Sequence, residues 1–501
     1  MNSWPKRVDG WFFAILLLSS LLLLIRLGDG RLWQDEAETA VLGKNILRYG
    51  YPRAFDGVNR LNPSLPVAKG EAWTYHTWGS FYVTAASFAL LGTNTFAARL
   101  PFALMGLASI GLAYRLVQRW MQDHLLTRFF AFTLTLCIPF LLHMRQCRYY
   151  APSVLLSLWT VWAYWRFLLR EPRSAPELTC ALVLLFHFNH GVFLPLLLAL
   201  GFHFIWTRAY QYQGRRALMI LGLILALTLP FAFTFQAWQH HGESSWKEIR
   251  HHTEFYFREI NHYLLPVTFW LVALLFWRPS LESLFGTVGS PKRRAWELIL
   301  CILGVGLLFL IFGPKQRHFR YLIHLAPWLL LLQSTLLVCL IRFRAWIGVP
   351  VALVLLFTDL HYAGPEKIRC LQVEFLGELT HSYRGPVDGI IEFLLAHAKP
   401  HQTLKIPYDD HAVILYTGLA VEPITKPEDF LRETYPDWIV IRHDWIPAEF
   451  FTSPYYTQIQ SRYRRFVLDA PDIPWQNRPD PGYHRFRTDT TAVPVILFQK
   501  K

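Results

Sequence analysis

The first long apolar run of the chain is followed by a polar stretch, Trp33-Gln34-Asp35-Glu36-Ala37-Glu38-Thr39. Carboxylates are costly close to a bilayer and persist there chiefly where chemistry or a partner needs them. Asp35 or Glu36 could serve as general base toward an acceptor hydroxyl or amine, provided it is held near the attacking atom. The pair opens an expected helix over 36–47, on which Glu36, Thr39, Ala40 and Gly43 share one face. Acidic residues also favour helix N-termini with no chemistry attached, and Asp35 as a cap answers the same pattern. Spacing alone leaves both readings open.

Two basic clusters could face such a carboxylate. Arg145-Gln146-Cys147-Arg148-Tyr149-Tyr150 lies between two apolar runs and offers forked donors and hydroxyls suited to a phosphate. The second cluster, Gly313-Pro314-Lys315-Gln316-Arg317-His318-Phe319-Arg320-Tyr321, immediately precedes another apolar run. Its members nearest the membrane, Arg320 and Tyr321, could complete a pocket for an anionic headgroup. Interfacial anchoring by Arg and Tyr is the alternative for either cluster, although basic residues on the outside run against the positive-inside trend and favour a functional role for the first. His76, in Tyr75-His76-Thr77-Trp78, could join Asp35 or Glu36 around a divalent metal cation, since imidazole and carboxylate suit several metals. No dedicated metal-ligand spacing is visible, and a lone histidine is more often packed or solvated. His187, Asn189 and His190 read as a polar helix turn, and Trp246–Phe257, with His251 and His252, as an outer loop that could cover a site. Trp475-Gln476-Asn477-Arg478-Pro479-Asp480-Pro481, followed by His484, reads as a structured turn.

The elements that must position these residues are mostly apolar. The 501 residues are 53% hydrophobic and 16% aromatic, with a mean hydropathy of +0.25. Only 17% are charged, against about 25% in soluble domains. Candidate spans fall at 11–27, 99–118, 126–143, 149–168, 177–189, 191–207, 216–236, 263–278, 295–313, 321–341 and 346–361. The runs 177–189 and 191–207 read as two short helices meeting near His187–Gly191. The six cysteines form no paired spacing, and most sit inside apolar runs, so neither a disulfide framework nor a zinc knuckle is indicated.

A net charge of +14 suits nucleic acid in principle, but the positions of the basic residues argue against that partner. If residues 76–92 do not cross the membrane, the basic short loops (1–10, 115–128, 166–177, 208–216, 278–297 and 342–344) fall on one side. They hold 17 Lys/Arg against 6 Asp/Glu, whereas the loop 28–75 holds six of each sign. The positive-inside rule therefore predicts a helix at 76–92 that lies in the interface, with a cytoplasmic N-terminus and the C-terminal tail outside. No small-residue cleavage site follows 11–27, which reads as an uncleaved signal anchor.

The fold class expected is a multi-pass α-helical membrane protein, with about 11–13 transmembrane helices plus juxtamembrane helices and a C-terminal soluble α/β domain. The membrane domain spans 1–361, with an outer loop at 28–98, and the periplasmic α/β domain spans 362–501. In that tail, Val387–Ala398 has helical spacing, while Thr403–Ile406, Trp438–Ile441, Phe466–Leu468 and Val493–Phe498 are strand-like.

These pieces in this order resemble the polyprenyl- or dolichyl-phosphate-sugar-dependent glycosyltransferases of family 39 type, in the GT-C superfamily, which includes protein O-mannosyltransferases and the lipid A aminoarabinose transferase. The likeness rests on Trp33-Gln34-Asp35-Glu36 with Ala40, and on the helix ending Gly50-Tyr51-Pro52. It continues in Ala89-Leu90-Leu91-Gly92 followed by Phe96-Ala97-Ala98-Arg99-Leu100-Pro101, in Arg148-Tyr149-Tyr150, and in Arg320-Tyr321-Leu322 leading to Ala326-Pro327. It covers about two thirds of the chain.

The resemblance implies that Asp35 is the catalytic carboxylate, with Glu36 beside it, and that Arg148 and Arg320 help to bind the lipid phosphate. Arg145, Tyr149 and Tyr321 complete the expected donor set. Relatives carry His-Pro-Pro or Glu-Lys-Pro where this chain has Tyr75-His76-Thr77, leaving His76 as the stand-in for a metal-linked position. The expected activity is inverting transfer of a sugar from a polyprenyl-phosphate donor to a lipid, protein or glycan acceptor, at the periplasmic face of a bacterial inner membrane. That side of the membrane has no nucleotide sugars, so the lipid must deliver the donor. The rivals are a lipid or lipid-linked sugar transporter that cleaves no bond, and a non-catalytic assembly subunit. Transporters favour midplane charges and pseudo-repeated halves, and neither is visible.

Overall fold

Long apolar runs punctuated by proline and by short polar breaks fold here into helices, and the Pro-rich polar tail folds around a sheet. The structure is a computed structural model describing residues 9–236, 245–362, 368–381, 384–473, 477–486 and 492–501. The beginning of the expected 1–10 loop, and Trp475 and Gln476 of the expected turn, lie outside the described residues.

In chain order the first helices are α1 (Gly10–Leu24), α2 (Gln34–Tyr49), α3 (Gly79–Leu91), α4 (Thr95–Met121), α5 (His124–Leu136), α6 (Ile138–Met144), α7 (Tyr150–Leu168) and α8 (Ser174–Phe188). They are followed by α9 (His190–Trp206), α10 (Tyr210–Thr234), α11 (Trp246–Tyr263), α12 (Val267–Phe276), α13 (Leu281–Phe285), α14 (Pro291–Phe312), α15 (Ala326–Phe343) and α16 (Ala345–Phe357). Each of the eleven expected spans coincides with a helix or a bent pair. Between α8 and α9, Asn189 adopts an extended conformation and its side chain accepts from Val192 N, capping the second helix where the break was expected. The α5–α6 pair bends by 64° and the α11–α12 pair by 70°. Pro139 in the first turn of α6 and Pro266 at the cap of α12 supply no N–H to a continuous helix.

Among the described residues, four helices are long and apolar enough to cross a membrane: α4, α10, α14 and the run Ile323–Phe343. Six qualify if each bent pair is one span. By length and composition alone that is fewer than the 11–13 expected: α7 has 19 residues but falls outside the same test, and five further apolar helices, among them α1, α8, α9 and α16, are 10–17 residues long. The fifth is α3, whose 13 residues reach about 20 Å, well short of the roughly 30 Å hydrocarbon core. Ser80, Thr84 and Ser87 of α3 are buried, Ser87 Oγ donates to Ala97 O at 2.5 Å, and Thr84 packs on Gly43 of α2. A side chain at Gly43 would stand 3.0 Å from Thr84, so this close approach needs the glycine.

The chain divides into two compact units: Met1–Ile25 with Phe102–Phe375, and Arg26–Pro101 with Leu376–Lys501. The first is the helical membrane unit. The second joins the loop after α1 to the tail, whereas the expected boundary at 361/362 kept residues 28–98 with the membrane domain. Within the second unit, Arg31 N donates to Asp388 Oδ1 at 2.8 Å and Leu32 N to the Tyr416 hydroxyl at 3.1 Å. Asn59 bridges two backbone groups, donating to Leu419 O at 3.0 Å and accepting from Val421 N at 2.8 Å.

The tail helices are α17 (Leu371–Thr380), α18 (Pro386–His397), α19 (Asp410–Thr417) and α20 (Pro454–Arg462). Strands β1 (Val67–Ala68) and β2 (Ala72–Trp73) form a small hairpin. The main sheet contains β3 (Thr403–Lys405), β4 (Ala420–Val421), β5 (Trp438–Ile441), β6 (Tyr463–Pro471) and β7 (Pro494–Lys500), in the order β4-β3-β5-β7-β6. Strand β3 runs parallel to β4 and β5, while β7 is antiparallel to β5 and β6. Buried Phe430, Ile439, Phe450, Ile459 and Phe498 pack together on this sheet.

Candidate active site

Helix α2 starts at Gln34, with Trp33 extended at its cap, and stops at Gly50, whose φ of 82° ends the helix in the left-handed region. Buried Leu32 and Trp33 fix where this helix begins. Its first turn carries Asp35 and Glu36, in two different environments. Glu36 is buried and bound by Arg99, whose Nε donates to Oε1 at 2.9 Å and Nη2 to Oε2 at 2.7 Å. Arg99 Nη1 also donates to the Asp29 carbonyl at 3.0 Å and to those of Leu27 and Gly30 at 3.3 Å. A carboxylate held through both oxygens by a guanidinium is poorly placed to take a proton from another molecule. Asp35 is half-buried, and its backbone carbonyl accepts from Thr39 Oγ1 at 3.2 Å.

One turn further on lies a carboxylate that the sequence reading did not single out. Glu38 is buried, accepts from Asn62 Nδ2 at 2.9 Å, and lies 3.9 Å from His76 Nε2. Tyr75 packs its ring 4.6 Å from that of His76. The structure thus sets His76 beside Glu38, whereas it was expected beside Asp35 or Glu36. Its signal in the sequence was the i, i+3 spacing from Asp35. Glu38 and His76 are the donors that could hold a cation here, and among the described residues no group of three or more His, Cys, Asp or Glu is arranged to hold a metal.

In the membrane unit the expected donor residues take up two different roles. Arg145 Nη1 donates to the carbonyls of Leu22, Leu23 and Ile25, at 2.9, 3.1 and 3.0 Å. It therefore closes the C-terminal end of α1, where helix carbonyls have no partner of their own. Arg148, Tyr149, Arg320 and Tyr321 instead form a group. The Arg148 guanidinium lies over the Tyr149 ring at 5.5 Å, and that of Arg320 over Tyr321 at 5.6 Å. Tyr149 feels the charges of both Arg320 and Arg148, and its ring meets Tyr150 edge-on at 4.9 Å. A short 3-10 turn, Phe319–Tyr321, carries Arg320, and Phe319 is buried against His143 at 5.6 Å and Tyr263 at 5.7 Å. Two guanidinium groups, each beside a phenol, match the chemistry of a phosphate monoester or diester.

The remaining candidates are structural. His252 Nδ1 donates to Glu248 O at 2.8 Å within α11. Asn477 Nδ2 donates to Arg31 O at 2.9 Å, Arg478 pairs with Asp480, and His484 bridges Arg478 O and Glu378.

No protein-family model matches the sequence, and no curated protein matches it. Among solved structures the chain is similar to the crystal structure of ArnT from Cupriavidus metallidurans bound to undecaprenyl phosphate. That match has 13% identity, covers 98% of each chain and has a TM-score of 0.58. The apo state of the same protein matches with 15% identity, 98% of each chain and a TM-score of 0.55. At this identity the likeness establishes the fold. The chain shares that protein's fold, a multi-pass α-helical membrane architecture with a C-terminal domain built on a sheet.

Proposed function

We propose that this protein is an inverting glycosyltransferase that moves a sugar from a polyprenyl-phosphate donor to an acceptor at the periplasmic face of a bacterial inner membrane. The observation that carries the reading is the grouping of Arg148, Tyr149, Arg320 and Tyr321 in a chain whose fold is that of a protein crystallised with undecaprenyl phosphate. In this reading Arg148 and Arg320 hold the donor phosphate, with the two tyrosines beside them. Arg145 supports the site by closing α1. The excess of basic residues in one set of short loops supports a cytoplasmic N-terminus and a periplasmic tail.

Asp35, in the first turn of α2 within Trp33-Gln34-Asp35-Glu36, is assigned the base. As the acceptor oxygen or nitrogen attacks the anomeric carbon, Asp35 takes its proton. The bond from that carbon to the phosphate oxygen breaks, and its electron pair leaves with the polyprenyl phosphate. The guanidinium groups stabilise the charge that develops there. A single displacement from the opposite face inverts the configuration. Purified protein incubated with a panel of defined polyprenyl-phosphate sugars, each paired with lipid, peptide and glycan acceptors, should release free polyprenyl phosphate as the acceptor gains the sugar. Movement of intact donor across a vesicle membrane, with no bond cleaved, would replace this reading with a transporter.

A further inference from the structure

Between β3 and α19 the tail makes a tight, strained passage, Pro407-Tyr408-Asp409-Asp410. Asp409 has φ 67° and ψ 18°, a left-handed conformation uncommon for a residue with a side chain, though Asp tolerates it better than most. The surroundings here are an ion triad in the interior of the tail. The Asp409 carboxylate pairs with Arg442, Arg442 Nε donates to Asp472 Oδ1 at 2.5 Å, and Arg442 Nη2 donates to Ile473 O at 3.3 Å. All three charged side chains are buried, and Asp472 Oδ2 also accepts from His443 N at 2.7 Å. On the other side of the strained residue, Tyr408 stacks face to face on Trp445, with centroids 4.0 Å apart and planes 6° apart.

This clamped passage meets the start of α2, within the same compact unit. Gln34 Nε2 donates to Asp410 Oδ1 at 2.6 Å, and Gln34 is the residue immediately before Asp35. Burial pushes the Tyr408 phenol well above its usual value, and the carboxylates of Asp409 and Asp35 add to that effect. Asp410 also faces two ionisable groups, His411, whose Nε2 stands 3.6 Å from Oδ2, and the carboxylate of Asp409. The triad thus holds the side chain of a residue in the left-handed region, and the next residue, Asp410, grips the first turn of the helix bearing Asp35.

Resting on the glycosyltransferase reading, we propose that Asp410 is a positioning residue for Asp35. Through Gln34 it fixes the first turn of α2, and the Arg442–Asp409–Asp472 triad holds Asp410 where it can do so. The tail is then part of the catalytic centre, although Asp410 acts on the substrate only by aiming another side chain.

The test uses the full chain in detergent, with three variants: Gln34→Leu, Asp410→Leu and Asp410→Asn. Two measurements are made on each. One is turnover in the polyprenyl-phosphate release assay, alongside the Kd for undecaprenyl phosphate. The other needs no turnover: the rate at which a carbodiimide couples an amine to Asp35, read by peptide mass spectrometry. Both leucine variants should lower kcat by up to about 10²-fold, the loss expected from misplacing a reacting group by roughly 1 Å. They should leave the undecaprenyl phosphate Kd unchanged and alter the labelling rate of Asp35. Asp410→Asn, whose amide oxygen still accepts from Gln34, should restore most of both. Wild-type kcat and labelling in Gln34→Leu would overturn the proposal even if Asp410→Leu misfolds, because Gln34→Leu leaves the tail intact. A loss in Asp410→Asn equal to that in Asp410→Leu would overturn it as well. If the wild type releases no polyprenyl phosphate with any pairing of donor and acceptor, the glycosyltransferase reading fails, and Asp35 labelling still decides the positioning.

Discussion

Arg99 grips Glu36 through two parallel bonds of 2.9 and 2.7 Å, with both side chains buried. The same guanidinium ties together the carbonyls of Leu27, Asp29 and Gly30, so one residue fixes both the entry to the first loop and the start of α2. Removing one partner of a buried pair strands the other charge. Arg99→Met should therefore cost about 3–5 kcal/mol. The double variant Glu36→Leu with Arg99→Met should recover a large part of that, and Arg99→Lys should not, since an ammonium cannot reproduce the fork. Thermal unfolding in detergent measures all three, and an Arg99→Met protein as stable as wild type would show that the pair does not hold the loop.

The two adjacent acids should separate cleanly in function. Asp35→Asn should cut transfer by about 10²–10⁴-fold, the usual cost of losing a positioned base, while folding and undecaprenyl phosphate binding persist. Glu36→Gln should chiefly lower the unfolding temperature. Turnover by Asp35→Asn close to wild type would remove Asp35 from the mechanism.

The three arginines should divide in the same way. Arg148→Gln and Arg320→Gln should each weaken undecaprenyl phosphate binding by roughly 10- to 150-fold, the equivalent of about 1.5–3 kcal/mol for a bond to a charged group. Arg145→Gln frees the carbonyls of Leu22, Leu23 and Ile25, so it should lower stability more than affinity. Equilibrium binding of the lipid, set beside melting curves, distinguishes the two patterns.

Lys405 makes the tail sensitive to alkaline pH. Burial pulls its ammonium down to about 8, while its Nζ donates to Arg432 O at 2.6 Å and lies 4.8 Å from the centre of the Tyr455 ring. Between pH 8 and the ordinary lysine value the unfolded chain binds a proton that the folded chain has released, so this residue's contribution to stability rises with pH. The stability difference between wild type and Lys405→Met should therefore shift in favour of wild type from pH 7.5 to 10. A difference that stays flat over that interval would contradict the assignment.

Much of the architecture was legible because helices and strands leave periodic marks. The break at Asn189, the short α3, and strands β5 and β7 follow from local pattern and proline placement. Pairings across sequence leave no such mark. Glu36 and Arg99 stand 63 residues apart, and nothing in either segment announces the other. The association of His76 with Glu38 was missed for the same reason, as was the joining of the first loop to the tail. Arg145 and Arg148 have the same chemistry and nearly the same position in the chain. Only geometry shows that one caps a helix while the other joins the Tyr149 and Arg320 group.

The bond from Arg31 N to Asp388 spans 357 residues. At a synthesis rate of 5–20 residues per second, the ribosome needs roughly 20–70 s to deliver the second partner after the first. Throughout that interval the segment carrying Asp35 lacks the surface on which it will rest. A chain that stops after Phe375 would hold the whole helical unit but only residues 26–101 of the second one, making it a natural target for proteolytic quality control.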